Sequence, residues 1–262
     1  MVKLSERQKH IMQWLHTSNS ILPSGLMAQH FGVSVQTIRK DMNEMSDLGL
    51  VRRVHGGIRL PSDNDNLSFT NRELLHFAAK EHIAQQVAQA LPPNSSIFLG
   101  IGTTPKQVAQ ALLDHSGLTV VTNNINVALI LSRNPDIQVH LAGGLVRSSD
   151  EDTIGEVSTA FYRRFNIQYG IFGVGGISQH GRLLDFYAEE AHLNRAIIEH
   201  SQYCWLVADQ HKYGRYAPVV SGQLSEIDRL FTDAVSTDLA RLCHQYQVDV
   251  FHDTTHEFNQ KE

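Results

Sequence analysis

The 262-residue sequence predicts an α/β protein in two parts, a small basic head and a larger α/β body, and three observations carry that prediction. The chain is longer than one core of ordinary size requires. Residues 1–60 hold eight Lys/Arg against four Asp/Glu and the remainder holds 14 against 23, so a net charge of −5 conceals a basic end and an acidic body. Beyond residue 72, short β-rich runs alternate with helical ones, as in a mostly parallel sheet covered by helices.

Composition narrows the function classes. Apolar residues make up 42 % and charged residues 19 %, enough to bury a core and too balanced for a disordered chain. No apolar run approaches a membrane span, and Met1 to Arg7 has no signal-peptide apolar region, so a cytoplasmic location is expected. Cys204 and Cys243 stand apart without C-x-x-C spacing, and the 15 histidines form no H-E-x-x-H or His-x-x-x-His pair. No disulfide, metal or cofactor is therefore expected.

In the head, Ser5-Glu6-Arg7-Gln8 has the spacing of a capping box, and Ile11, Trp14 and Leu15 continue a first helix. Ser24 is placed to cap a second helix carrying Leu26, Met27 and Phe31, which stops at Gly32. Ser34 caps a third, in which Val35, Ile38, Met42 and Met45 form the packing face and Gln36, Thr37, Arg39, Lys40 and Asn43 lie on other faces. A short helix, a tight turn and a polar, basic helix are the parts of a helix-turn-helix whose second member enters the major groove of DNA. Gln36 suits adenine, Arg39 suits guanine, and Ser34, Thr37 and Lys40 suit the register and the phosphates. Leu50 to Leu60 alternates apolar and basic residues around Gly56-Gly57, a two-stranded wing on which Arg52, Arg53 and His55 reach flanking backbone.

Residues 61–72 are polar and turn-rich, an interdomain linker between a DNA-binding domain at 1–60 and a body at 73–262. Leu74 to Leu91 reads as one helix running from near residue 72 to Pro92-Pro93. Strands are expected at 97–99, 118–121, 137–141, 169–172, 203–207 and 229–231. Ligands of such sheets sit outside the carboxyl ends of the strands. There lie Gly100-Ile101-Gly102-Thr103-Thr104-Pro105, with Pro105 at the first helical position, Thr122-Asn123-Asn124, Ala142-Gly143-Gly144 and Gly173-Val174-Gly175-Gly176. The first is neither a Walker loop nor a dinucleotide fingerprint, yet Gly100, Gly102, Thr103 and Thr104 leave backbone donors at a helix start for a phosphate. Asn123, Gly143 and Gly144 extend the rim, Asp209 and Lys212 supply an acceptor and a compact cation, and Glu190 lies beside the same pocket. Asp150-Glu151-Asp152 and Glu189 read as solvated faces.

The run Val33 to Asp41, followed by Leu50-Val51-Arg52-Arg53-Val54-His55-Gly56-Gly57, resembles the head of DeoR-family bacterial transcription regulators. The Gly-x-Gly-Thr-Thr loop, Asn123-Asn124, Gly143-Gly144 and Asp209-x-x-Lys212-x-Gly214 resemble that family's sensor domain. The resemblance implies a winged helix-turn-helix joined to an α/β sensor domain similar in fold to ribose-5-phosphate isomerase. It also implies a phosphorylated sugar or polyol as effector, such as glycerol 3-phosphate, a double-stranded DNA operator as partner, and repression of a catabolic operon. One departure stands out: the family's Asp-x-x-Glu element has Tyr187 where the Asp is expected, with Glu190 matching the Glu.

One reader helix touches too few base pairs for tight specificity, so a homo-oligomer, dimer or tetramer, is expected. A sugar-phosphate isomerase or deaminase with an added head is the alternative, with Glu190 or Asp209 as its base. A functional head is redundant for such an enzyme, and an RNA-binding module lacks the exposed aromatics that stack unpaired bases.

Overall fold

The computed structural model describes residues 4–18, 21–60 and 69–252. The chain divides into two compact units, Met1–Leu75 and His76–Glu262. The expected linker at 61–72 lies mostly outside the described residues, and its last residues belong to a short helix.

The first unit contains α1 (Glu6–Ser18), β1 (Leu22–Pro23), α2 (Ser24–Phe31), α3 (Val35–Asp47), β2 (Arg52–Val54), β3 (Gly57–Arg59) and α4 (Phe69–Leu74). The capping box forms as the spacing requires: Gln8 N donates to Ser5 Oγ (3.2 Å) and Ser5 N donates to Gln8 Oε1 (2.9 Å). Gly32 takes the left-handed conformation (φ 62°) that ends α2, and Ser34 Oγ accepts from Thr37 N to start α3. Ile11, Leu15, Met27, Ile38, Met42, Met45 and Ile58 close the head's core. Three expectations fail here. Pro23, not Ser24, is the N-cap of α2, and Ser24 N donates instead to Gly56 O (2.8 Å), fastening the helix start to the wing. Val35, the first residue of α3 and assigned to its packing face, is 39 % exposed, and Leu26, assigned with Met27 and Phe31 to the apolar side of α2, is 46 % exposed. β1 adds a third strand to the wing, in the order β1-β3-β2.

The second unit contains α5 (Phe77–Ala90), β4 (Ser96–Leu99), α6 (Thr103–Ala111), β5 (Thr119–Thr122), α7 (Ile125–Leu131), β6 (Gln138–Leu141), β7 (Leu145–Arg147), β8 (Asp152–Ile154), α8 (Glu156–Tyr162) and β9 (Ile167–Phe172). It continues with β10 (Gly176–Ile177), β11 (Arg182–Asp185), α9 (Ala188–Glu199), β12 (Ser201–Val207), β13 (Val219–Gln223), β14 (Arg229–Phe231), α10 (Thr237–Gln245) and β15 (Asp249–Phe251). Seven strands pair in parallel in the order β15-β14-β12-β9-β4-β5-β6.

Alternate residues of the central strands face opposite cores, as a sheet covered on both sides demands. Ile97, Leu99, Ile171, Trp205 and Val207 pack with Ile83, Val108 and Leu131 of α5, α6 and α7. Phe98, Phe172, Cys204 and Leu206 pack with Tyr162, Leu193, Ile197 and Leu239 of α8, α9 and α10.

The helix expected from residue 72 to 91 is interrupted. His76 is left-handed (φ 53°), so α4 and α5 are separate helices, a break that side-chain periodicity does not register. All six expected strands are present. The hairpin β7–β8, the small sheet β10-β11-β13 and the edge strand β15 are additions. No described helix is long and apolar enough to cross a membrane.

Candidate functional sites: a basic reader face and a rim at the sheet's switch point

On the head, the core side of α3 is fixed by Ile38, Met42 and Met45, which leaves Gln36, Arg39 and Lys40 exposed. Ser34 and Thr37 share a hydroxyl contact of 2.9 Å at the start of the helix, so these hydroxyls are held in place beside the reader residues. Arg52, Arg53 and His55 are exposed on the wing, and Arg53 Nη1 donates to Asn43 Oδ1 (2.6 Å), bracing wing against helix. On the opposite side Arg7 forks onto Asp41 (2.6 and 3.2 Å) and Gln8 Nε2 donates to Glu44 Oε2 (2.7 Å). Asp41 is therefore a structural anion tying α1 to α3, and burial of its carboxylate leaves Arg39 and Lys40 as the exposed charges of the first two turns of α3, with Glu44 and Asp47 following in its second half.

These placements separate two kinds of contact. Arg39→Ala is expected to weaken specific DNA binding by about 1–3 kcal/mol and relax discrimination at one base pair, because a bidentate base contact is lost. Arg52→Ala is expected to weaken specific and nonspecific binding alike and to lower the salt slope by about 1, the signature of a phosphate contact. Salt titrations of both variants on cognate and random duplexes check this, and identical behaviour of the two would contradict the assignment.

In the body, the chain runs from β4 outward through β5 to β6 and then returns to β9 on the other side of β4. The order reverses between β4 and β9, and the crevice outside the carboxyl ends of two such strands is where doubly wound sheets take ligands. Gly100 follows β4 at that point. Its N donates to Ile171 O (2.9 Å), and a Cβ there would stand 3.1 Å from Phe172 Cβ. Gly102 then turns with φ 111°, a conformation that side chains rarely adopt, and α6 opens on the buried Thr103 and Thr104. Pro105 is the third helical residue rather than the first, because Lys106 N closes the opening turn on Gly102 O (3.2 Å). Its missing N–H is one that the first turn leaves unpaired in any case.

The remaining rim residues divide by what their polar atoms touch. Asn123 is fully buried and its amide is committed internally, Nδ2 donating to Thr153 O (2.7 Å) and Oδ1 accepting from Tyr162 Oη (2.8 Å). Its neighbour Asn124 faces the loop instead: Nδ2 lies 3.4 Å from Gly102 O while Oδ1 caps α7 by accepting from Asn126 N (3.0 Å). Gly143 O accepts from Ser158 Oγ (2.8 Å), and a Cβ on Gly144 would meet that same Oγ at 2.4 Å, so this corner packs against α8. Asp209 is buried and accepts from His211 N (3.1 Å) at the head of a short 3-10 turn that contains Lys212. Burial alone would raise its pKa, but Lys212, His76, Lys80 and His211 face it and hold it below the ordinary carboxylate value.

Two of the acidic residues expected on solvated faces, Asp150 and Asp152, join Glu190 in a second cluster on the rim. Arg147 Nη2 and Nε donate to the two oxygens of Asp152 (2.6 and 3.1 Å), Nη1 donates to Glu190 Oε1 (2.8 Å), and Nε lies 3.3 Å from Asp150 Oδ2. Asp150, Asp152 and Glu190 are all buried, whereas Glu151 and Glu189 keep solvated faces. Burial opposes the charge on Arg147, and the three carboxylates outweigh it. Glu190 Oε2 also accepts from Phe186 N (3.3 Å), so neither of its oxygens is poised as a free base. Tyr187, in the position of the missing Asp, lies with its ring 5.4 Å from the Arg147 guanidinium.

A fifth buried carboxyl, Asp185, accepts from Gly175 N (3.0 Å) and Asn194 Nδ2 (2.9 Å) and is pushed up by burial against those hydrogen bonds and the Lys212 charge. Arg147, Asp150, Asp152, Asp185, Lys80 and His76 carry no signal in the sequence that places them at this rim. For Asp150 and Asp152 the only signal was acidity itself.

A DeoR-like helix-turn-helix domain matches residues 7–64 and a DeoR C terminal sensor domain matches residues 75–234. The chain belongs to the DeoR family. It is thus a DNA-binding regulator in which a helix-turn-helix head precedes a sensor domain. It is 42 % identical over 233 residues to the glycerol-3-phosphate regulon repressor of Escherichia coli K12, covering 89 % of this chain and 92 % of that protein. The protein of the same name from Haemophilus influenzae is 41 % identical, covering 89 % of this chain and 91 % of its own length. The Escherichia coli repressor CsqR is 38 % identical over 79 % of each chain. Among solved structures, ribose 5 phosphate isomerase A from Neisseria gonorrhoeae aligns with 53 % of this chain and 54 % of its own at 16 % identity and a TM-score of 0.37.

Proposed function

We propose that this DeoR-family regulator represses an operon for sugar or polyol catabolism and leaves its operator when the sensor domain binds a phosphorylated metabolite, glycerol 3-phosphate first among candidates. The reader is residues 1–60, joined by the linker 61–72 to an effector-binding and oligomerising domain at 73–262, and the protein acts in the cytoplasm as a homo-oligomer. Gln36, Arg39 and the wing arginines carry the DNA contacts.

The observation that carries the effector reading is the Gly100–Thr104 loop, which opens α6 at the sheet's switch point with the Asp209–Lys212 turn on the same rim. Backbone donors at a helix start and a compact cation suit a phosphate monoester. The names of the relatives support the choice of glycerol 3-phosphate.

Glycerol 3-phosphate at a hundred times its dissociation constant is expected to stabilise the sensor by about 2.7 kcal/mol, read as a rise in melting temperature, and to release operator DNA. Glycerol is expected to do neither. Lys212→Ala and Gly102→Leu are expected to abolish the shift and leave operator binding intact. A shift produced equally by unphosphorylated polyols would remove phosphate from the reading, and variants that lost operator binding but kept the shift would move the pocket elsewhere.

A further inference from the structure

Lys80 occupies a costly position. It is 4 % exposed, and it stands in the first turn of α5, where Lys80 N closes on His76 O at 3.1 Å. Lysines are almost never buried to this degree unless anions face them, and the partial positive charge of a helix start adds to the cost. The His76 and His211 rings stack at 3.9 Å with 20° between their planes, which joins the start of α5 to the turn after β12 on the effector rim. There Asp209, 3 % exposed, is faced by Lys212, His76, Lys80 and His211, four basic groups around one carboxylate. Asp185, which faces Lys212, is a second carboxyl, and burial shifts it towards its neutral form. Two lysines, one from α5 and one from the turn after β12, are thus brought to one buried carboxylate on the rim that also carries the start of α6.

We propose that Lys80, together with Lys212 and the His76–His211 stack, forms the receptor for the phosphoryl group of the effector. Asp209 is the resident anion that keeps both ammonium groups charged before the effector arrives. A phosphate monoester offers three oxygens in place of one carboxylate, and two lysines approaching from different elements, α5 and the turn after β12, take different oxygens. This rests on the effector reading above and adds to it Lys80 and His76, neither of which the loop and Lys212 alone would implicate.

The test uses the full chain with three probes: glycerol 3-phosphate, inorganic phosphate and glycerol. Lys80→Met is expected to weaken glycerol 3-phosphate and inorganic phosphate alike by about 10- to 100-fold, as loss of a charged hydrogen bond requires, with operator affinity in the absence of effector unchanged. Lys80→Arg is expected to recover most of the affinity, which a purely structural role for the lysine would not produce for inorganic phosphate. If Lys80→Met does not fold, the 15N resonance of Lys80 Nζ in the unsubstituted protein decides: movement on adding inorganic phosphate supports the receptor, and a fixed resonance overturns it. Binding of glycerol 3-phosphate by Lys80→Met within twofold of the parent overturns this proposal alone. If the parent binds neither phosphorylated probe, the effector reading fails and the receptor with it.

Discussion

Arg147→Ala is expected to lower the stability of the sensor domain by about 3–5 kcal/mol, the range for breaking a buried ion pair from one side. The size follows from what remains behind. Asp152 and Glu190 lose direct donors at 2.6 and 2.8 Å, Asp150 loses a cation at 3.3 Å, and all three side chains are at most 9 % exposed. Three anions then share a dry site with no arginine, and water or protonation can relieve only part of the cost. The loss is also structural in a specific way. Arg147 ends β7, Asp152 begins β8 and Glu190 sits in the first turn of α9, so one guanidinium ties a hairpin to a helix across 43 residues of sequence. Urea unfolding of the full chain, followed by a probe in the sensor, measures the loss. Arg147→Ala combined with Asp152→Asn and Glu190→Gln is expected to be more stable than Arg147→Ala alone, because the uncompensated charge has been removed along with its partner. A single-variant loss below about 1 kcal/mol would mean the cluster is hydrated and that its geometry overstates its coupling.

Which features could be read from the residues depends on how local their cause is. Gly32, Ser34 and the Ser5–Gln8 box act within four residues, and each is found where the spacing puts it. The central strands were legible because burial on both faces leaves compact apolar runs such as Ile97-Phe98-Leu99. Edge and accessory strands lack that signature: β15 is three residues long, and β10 is two. The left-handed His76 left no mark on the apolar periodicity around it, so one helix was expected where there are two. The rim shows the same division. Gly102 declares itself because its φ of 111° is one that side chains rarely adopt, and Gly100 because a Cβ would press on Phe172 Cβ at 3.1 Å, whereas Arg147 is an ordinary surface-type residue until β7, β8 and α9 converge on it. Asn123 and Asn124 are the same residue type side by side, and only the direction of their amides shows that one serves the core and the other faces the loop.

Residues 1–75 expressed alone are expected to fold yet to bind the operator about 10²- to 10⁴-fold more weakly than the full chain, and without the full chain's discrimination. Folding follows from a closed core of its own: Ile11, Leu15, Ile38, Met45, Val51 and Ile58 are fully buried within this unit, and the Arg7–Asp41 fork fixes α1 to α3. Weak binding follows from the size of the reading surface. One α3, on which Gln36 and Arg39 are exposed, with Arg52 on the wing, is long enough to span only a few base pairs, and the rest of a single head's affinity is expected to be salt-sensitive phosphate contact. In the proposed homo-oligomer a second head is held near the second half-site at an effective concentration of the order of millimolar, so its docking is nearly intramolecular. That linkage makes effector control possible: a ligand that favours a different spacing of the heads need not touch α3 to release DNA, only to bind the two arrangements unequally. Sedimentation of the full chain together with titrations of both proteins on one operator at fixed salt measures the gap. A monomeric full chain with tight, specific binding, or a lone head that matches it, would place specificity in the head and leave the sensor without a means of control through spacing.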